Sequence, residues 1–222
     1  MEEMKSKGML LLLCFLIPLG LTACAPLGLS FDKLPGLEPG DVIFKDDFSD
    51  NSSGWEKVNS PYELKGYSDG GYLITVKSAS SRSWAVVDLP LQDVEIQVET
   101  KKISGPEDTN IGLICRFQDK DNYYSFLISN DGYFAILRVQ NGEETLLGSE
   151  QFSLSDQIQP QDATNLIVAS CIGEQLSLTV NGKLLRTTKE SSFSSGKVGM
   201  VVETRTDGGA AVVFSDFSVI KR

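Results

Sequence analysis

Glu95-Ile96-Gln97-Val98-Glu99 sets two carboxylates on the same side of one alternating segment. Two carboxyls held close together are what retaining glycoside hydrolysis needs. The competing expectation is a solvated strand face with ordinary charges. The chain of 222 residues contains no histidine. That removes Ser-His-Asp and Cys-His catalysis, histidine general bases and every histidine-containing metal site. Enzyme chemistry here would have to run on carboxylates, Lys, Tyr or a hard cation. Asp47 and Asp216, with Asp46, Asp119 and Asp121, are oxygen donors of the type calcium takes. Asp119-Lys120-Asp121-Asn122 lacks the Gly and terminal Glu of an EF-hand loop, so an acidic turn is the simpler expectation.

Binding chemistry has its own candidates. Aromatic rings stack on apolar ligand faces, and Arg forks onto carboxylates or hydroxyls. Trp84, Arg116, Tyr124 and Tyr133 could supply such a set. Period-two counting puts Arg116 on one face with Gly112 and Ile114, and Tyr124 on one face with Phe126 and Ile128. Taken singly, an aromatic in a strand is more often core and a strand Arg is more often a rim charge. Trp55, beside Gly54, reads as structural packing.

The elements that must position these residues are strands. Asp93 to Glu99 alternates polar and apolar, with Val94, Ile96 and Val98 on one side, as in a half-buried antiparallel strand. Gly71–Val76 and Asn165–Ile172 are similar apolar, β-branched runs. Val180-Asn181-Gly182-Lys183 and Gln140-Asn141-Gly142-Glu143 carry the Asn-Gly pair of a type I′ hairpin, and Asn130-Asp131-Gly132-Tyr133 reads as a third turn. Strands at this spacing predict a two-sheet sandwich or barrel. No amphipathic helix of three turns is expected. The longest non-strand stretch, 153–163, could hold one short helical turn.

Composition sets the surroundings. Hydrophobic residues make up 41% and charged residues 23%, a globular composition. The net charge of −10 repels phosphate backbones, so nucleic acid is not an expected partner. Met9 to Leu21 is an apolar run preceded by Lys5 and Lys7, with the layout of a signal-peptide core. Leu21-Thr22-Ala23-Cys24 follows it and resembles the lipobox of bacterial lipoproteins. The resemblance implies cleavage before Cys24, lipid on its thiol and attachment outside the cytoplasm, at the outer membrane in a cell with two membranes. Residues 1–23 are then the signal peptide. Residues 24–43, rich in Pro and Gly, form a tether, and 44–222 form the β domain. An ordinary cleaved signal or an uncleaved anchor is the alternative.

Cys115 and Cys171 remain, both in expected strands, in a compartment that permits oxidation. If those strands are neighbours, a disulfide would close a loop of about 57 residues and stabilise the domain by about 3–4 kcal/mol. Two buried free thiols are the alternative.

The order Asp47-Phe48, Gly54-Trp55, Gly112 to Phe117, Asn122 to Phe126, Val180-Asn181-Gly182, Gly196 to Gly199 and Phe214 to Phe217 resembles the concanavalin A-like lectin/glucanase superfamily, in its laminin-G-like or 3-keto-disaccharide-hydrolase-like branch. The resemblance covers about residues 44–220. It implies an all-β, antiparallel, two-sheet jelly roll whose concave face binds carbohydrate in many relatives. Glu95 and Glu99 also resemble that superfamily's catalytic strand, where the first Glu is nucleophile and the last is acid/base, but Gln97 replaces the middle acid. The expected function is a membrane-anchored binding module for glycan or another envelope ligand. A carbohydrate-active hydrolase and a structural envelope subunit that contacts protein are the alternatives.

Overall fold

The computed structural model describes residues 36–160 and 162–222, all in strands, turns and loops. The expected signal peptide, residues 1–23, and the expected lipidation site Cys24 lie outside the described residues. Among the described residues no helix is long and apolar enough to cross a membrane.

Among the described residues sixteen strands follow one another. The first eight are β1 (Val42–Asp46), β2 (Val58–Asn59), β3 (Glu63–Ser68), β4 (Gly71–Val76), β5 (Arg82–Leu91), β6 (Val94–Ser104), β7 (Asn110–Asp119) and β8 (Asn122–Ser129). The second eight are β9 (Tyr133–Gln140), β10 (Glu143–Leu146), β11 (Ser153–Leu154), β12 (Asn165–Ile172), β13 (Gln175–Val180), β14 (Lys183–Lys189), β15 (Gly196–Glu203) and β16 (Ala210–Lys221). Nine form one antiparallel sheet in the order β14-β13-β12-β6-β16-β4-β3-β2, with β1 also on β16. Seven form the other, β10-β9-β8-β7-β15-β5, with β11 on β9. Strands distant in sequence lie side by side, as in the jelly roll that the superfamily resemblance implied.

Alternation decides what goes inside. On β6 Val94, Ile96 and Val98 are buried between the sheets, and Glu95, Gln97 and Glu99 face outward. Ile167, Ala169, Leu176 and Leu178 join them from the nine-stranded sheet, facing Leu113, Phe126, Ile136 and Met200 of the other. Each such aliphatic side chain contributes about 1.5–3 kcal/mol on burial. An aromatic cluster plugs one corner. Trp55 packs on Phe48 at 5.7 Å and on Phe217 at 5.1 Å, and its indole Nε1 donates to buried Asp46 at 2.8 Å. Both Asn-Gly turns take the two consecutive positive φ values of a type I′ hairpin: 54° and 80° at Asn141-Gly142, 49° and 82° at Asn181-Gly182.

Two expectations shift. The tether is partly docked: Lys221 Nζ donates to the Leu37 carbonyl at 2.7 Å and Gly40 N–H to the Lys221 carbonyl at 2.9 Å, ahead of β1 at Val42. The described part of 153–163 contains the two-residue β11 and turns, and no helical turn.

Cys115 and Cys171 form a disulfide, yet their strands are not neighbours within a sheet. β7 and β12 face each other across the core, with Cα atoms 6.9 Å apart, so the bond ties one sheet to the other. Replacing both cysteines by serine is expected to lower the unfolding free energy by about 3–4 kcal/mol, read from urea unfolding under non-reducing conditions. An unchanged midpoint would show that the cross-link adds nothing to the packed core.

Candidate functional site

The outer face of the seven-stranded sheet is unusual for a sandwich. Such a face is expected to be polar and wet. Here Ile114, Leu127, Ala135, Leu137 and Val201 point away from the inter-sheet core and are still buried. β7 is buried at eight successive residues and β8 at seven. A second apolar cluster therefore lies on this face, roofed by Phe117, Tyr123 and the half-buried Trp84, Val86 and Phe152.

Register converts that face into rows. Arg82 pairs with Glu203, Glu203 with Asn110, and Asn110 with Ser129, whose hydroxyl donates to the Tyr133 carbonyl at 3.4 Å. Arg82, Glu203, Asn110, Ser129 and Tyr133 thus form one polar row across five strands. The next row inward is Trp84, Val201, Gly112, Leu127 and Ala135. Arg82 belongs to the edge strand β5, but its guanidinium donates to the Tyr123 hydroxyl on β8 at 2.5 Å and to Glu144 on β10, the opposite edge strand. The sheet is curved enough for its two edges to be bridged by one side chain.

Glu203 is 7% exposed. Its Oε2 accepts from Asn110 Nδ2 at 3.3 Å. Its Oε1 has no hydrogen-bond partner and stands 3.8 Å from Arg82 Nε. Burial pushes the Glu203 carboxyl above its ordinary range, and the attraction of Arg82 does not outweigh it. Burial works against the Arg82 charge too, but Glu203, Tyr123 and Glu144 raise its pKa above the usual value. Burial also lifts the Tyr123 phenol to about 12.

Glu203 opens onto a cleft of about 380 Å³, walled by Ser80, Ser81, Thr204, Arg205 and Thr206 with Asn110, Arg82 and Glu144. A second cleft of about 210 Å³ shares Asn110 and Arg205 with it and adds Tyr133 and Phe152. A third, of about 440 Å³, shares Ser81 and Arg82 and adds Trp84, Tyr62 and Glu63. Carboxylate, guanidinium, amide and hydroxyls between aromatic rings are suited to a neutral ligand that both donates and accepts hydrogen bonds.

Of the residues singled out from the sequence, Trp84 and Tyr133 line these clefts. Arg116 and Tyr124 do not. Arg116 has φ +50° and sits in a bulge of β7, so the alternation that would pair it with Ile114 breaks and its side chain turns to the far end of the sandwich. There it is 2% exposed and donates to the carbonyls of Phe193 at 2.8 Å and Gly173 at 2.6 Å. Tyr124 faces the inter-sheet core, fully buried, with its hydroxyl accepting from Phe193 N–H at 2.9 Å. Glu95 and Glu99 project from the outer face of the other sheet, away from the clefts, and Glu95 is held by Arg222 at 2.5 Å and Ser170 at 3.2 Å. Asp47 and Asp216 directly follow and precede the last paired residues of β1 and β16, both exposed, and Asp47 caps Ser49 N–H at 2.9 Å. Among the described residues no three acidic or thiol groups come together as a metal site.

The clefts' main polar residues, Arg82, Asn110 and Glu203, were not singled out. Glu203 had a signal: it is the one charged residue closing the apolar run Val198 to Val202. Arg82 stands two residues from Trp84, hence on the same face.

No family model matches the chain, and no curated protein matches its sequence. Solved structures match its fold. It is similar to the carbohydrate-binding module CBM66 from Bacillus subtilis (TM-score 0.62, 17% identity, 77% of this chain and 97% of that one). It is also similar to a protein of unknown function with a galectin-like fold from Bacillus subtilis (0.58, 11%, 83% and 97%). A third is the GH43 protein BlXynB from Bacillus licheniformis (0.60, 14%, 80% and 39%). At these identities the likeness shows the jelly-roll fold.

The raised pKa of Glu203 fixes a sign. Its contribution to stability is full below the ordinary value near 4.5 and is lost as pH rises through the folded value. Glu203→Gln is expected to unfold at higher urea than the parent at pH 8 and at nearly the same urea at pH 4. Parallel curves at both pH values would mean that the carboxyl is not charged at a cost.

Proposed function

We propose that this domain is a carbohydrate-binding module, non-catalytic, presented outside the cytoplasm by a lipid on Cys24. The observation that carries the reading is Glu203: a carboxyl almost wholly buried in the wall of a cleft, with one oxygen unbonded, between Arg82 and Asn110. A buried charge left partly unsatisfied is costly and is kept where it binds or reacts. Sugar hydroxyls would meet the polar groups that wall the cleft around it, and the rings of Trp84 and Tyr133 would take the apolar faces of the sugar. Two further solved folds similar to this one are described as a CBM2 module of a Lactobacillus casei phage and the carbohydrate recognition domain of Emp47p.

A specific observation also favours a second reading, hydrolysis at this same cleft. Glu203, with its proton held more tightly than usual, and the exposed Glu144 meet at Arg82, and a pair of carboxyls is the equipment of a glycosidase. Release of reducing sugar from a retained polysaccharide, abolished in Glu203→Gln, separates the two.

Polysaccharide retention and a glycan array test the binding reading. Arg82→Ala and Asn110→Ala should each weaken retention by about tenfold or more, the worth of a hydrogen bond to a charged group. Retention untouched by both would put the ligand elsewhere. For the anchor, Cys24→Ser should move the protein from the membrane to the soluble fraction of an expressing bacterium; a variant still pelleting with membranes would remove the lipid.

A further inference from the structure

We infer that the three clefts are one continuous groove for a linear, uncharged oligosaccharide held along its length, rather than a pocket for a single sugar or a chain end. This rests on the sugar-binding reading above and specifies its ligand. Continuity follows from shared walls: Ser81 and Arg82 belong to both the large and the middle cleft, and Asn110 and Arg205 to both the middle and the small one. The polar row beneath them crosses five strands. Four strand spacings of about 4.8 Å make it about 19 Å long, more than one sugar ring covers.

The chemistry changes along the groove. Aromatic groups stand at both ends: Trp84 and the 72% exposed Tyr62 at one, Tyr133, 37% exposed, and Phe152 at the other. Rings at both ends with hydrogen-bonding groups between them suit a ligand that repeats an apolar face and a set of hydroxyls. The open, exposed aromatics leave no wall to stop a chain from running on in either direction.

Charge selects the class. The groove carries the carboxylates Glu56, Glu63, Asp108, Asp131, Glu144 and Glu203. Its cations are Lys65, Arg82 and Arg205, and they are already engaged. Lys65 is 2.8 Å from Glu56 and donates to the Trp84 carbonyl at 2.8 Å. Arg82 holds Glu144, and Arg205 lies over the Phe152 ring at 4.5 Å. A groove with this excess of acid, on a chain of net charge −10, repels uronate or sulfated chains.

Calorimetric titration of the full chain in detergent micelles tests this. The probes are cello-, xylo- and fructo-oligosaccharide ladders of one to six rings, with oligogalacturonates as the charged control. Affinity for one of the neutral ladders should rise at least about tenfold from one to three rings, and oligogalacturonates should not bind. Trp84→Ala and Tyr133→Ala should each cost about tenfold for the six-ring probe and lower the length at which affinity stops rising. Trp84 also packs on Phe117 at 6.0 Å, so Tyr133→Ala, at an exposed ring, is the variant whose fold is secure. Equal affinity for two and six rings, with Arg82→Ala still abolishing binding, would overturn the extended groove and leave a sugar site standing. Tighter binding of oligogalacturonates than of any neutral ladder would overturn the charge argument. Silence from every ladder would overturn the groove and the sugar-binding reading together.

Discussion

The seven-stranded sheet is buried on both faces, and much of the molecule follows from that. A sandwich sheet normally spends one face on the core and leaves the other to water. β7, β8 and β9 instead carry apolar residues on both, so Leu127, Ala135 and Val201 must be dried by something other than the second sheet. Curvature and long side chains do it. Tyr123, Trp84 and Phe117 fold over the concave face, and Arg82 spans it from edge strand to edge strand. The guanidinium suits this task because its aliphatic stem covers apolar floor and its fork reaches several acceptors at once.

That roof stops short of the last row. At the end of the strands the floor changes from Val201, Gly112 and Leu127 to Glu203, Asn110 and Ser129, and the clefts open there. Glu203 thus combines low exposure with access to the cleft. Arg82 alone does not compensate its desolvation, since the carboxyl pKa is raised rather than lowered beside a guanidinium. An ion pair built for stability would show the opposite shift. The expense is concentrated at one carboxyl in the wall of a cleft, and perturbed carboxyls cluster at functional sites.

What could be read from the sequence was what local rules govern. The alternation of β6, the Asn-Gly hairpins and the pair of cysteines lie within the reach of period and turn chemistry. The position of the candidate site was outside that reach for two physical reasons. A bulge is a single inserted residue. At Arg116 it turns a correct count into the wrong face, and Gly196 marks the place, since a Cβ there would lie 2.4 Å from the Arg116 carbonyl carbon. And where both faces of a strand are apolar, period two separates the faces without saying which one is inside. Tyr124 and Tyr123 are equally aromatic neighbours, yet Tyr124 meets the core and Tyr123 meets Arg82. Only the register of three strands, set by contacts far apart in sequence, brings Arg82 beside Glu203 and Glu203 beside Asn110.

The two ends of the sandwich are built differently, and each serves the other. At one end Cys115–Cys171, Arg116 and Tyr124 tie the sheets and the segment around Phe193 together. At the other, the cleft walls are loops, but they are fastened to each other. Thr204 N–H donates to the Ser81 carbonyl at 2.8 Å and its hydroxyl to the Ser78 carbonyl at 2.7 Å, while Ser80 N–H and hydroxyl both donate to the Arg205 carbonyl, at 2.7 and 2.9 Å. These contacts of Ser80 and Thr204 fix the shape of the wall beside Glu203. A ligand entering such a cleft loses little to loop ordering, so even a shallow groove can hold a weakly polar chain by a few well-placed contacts.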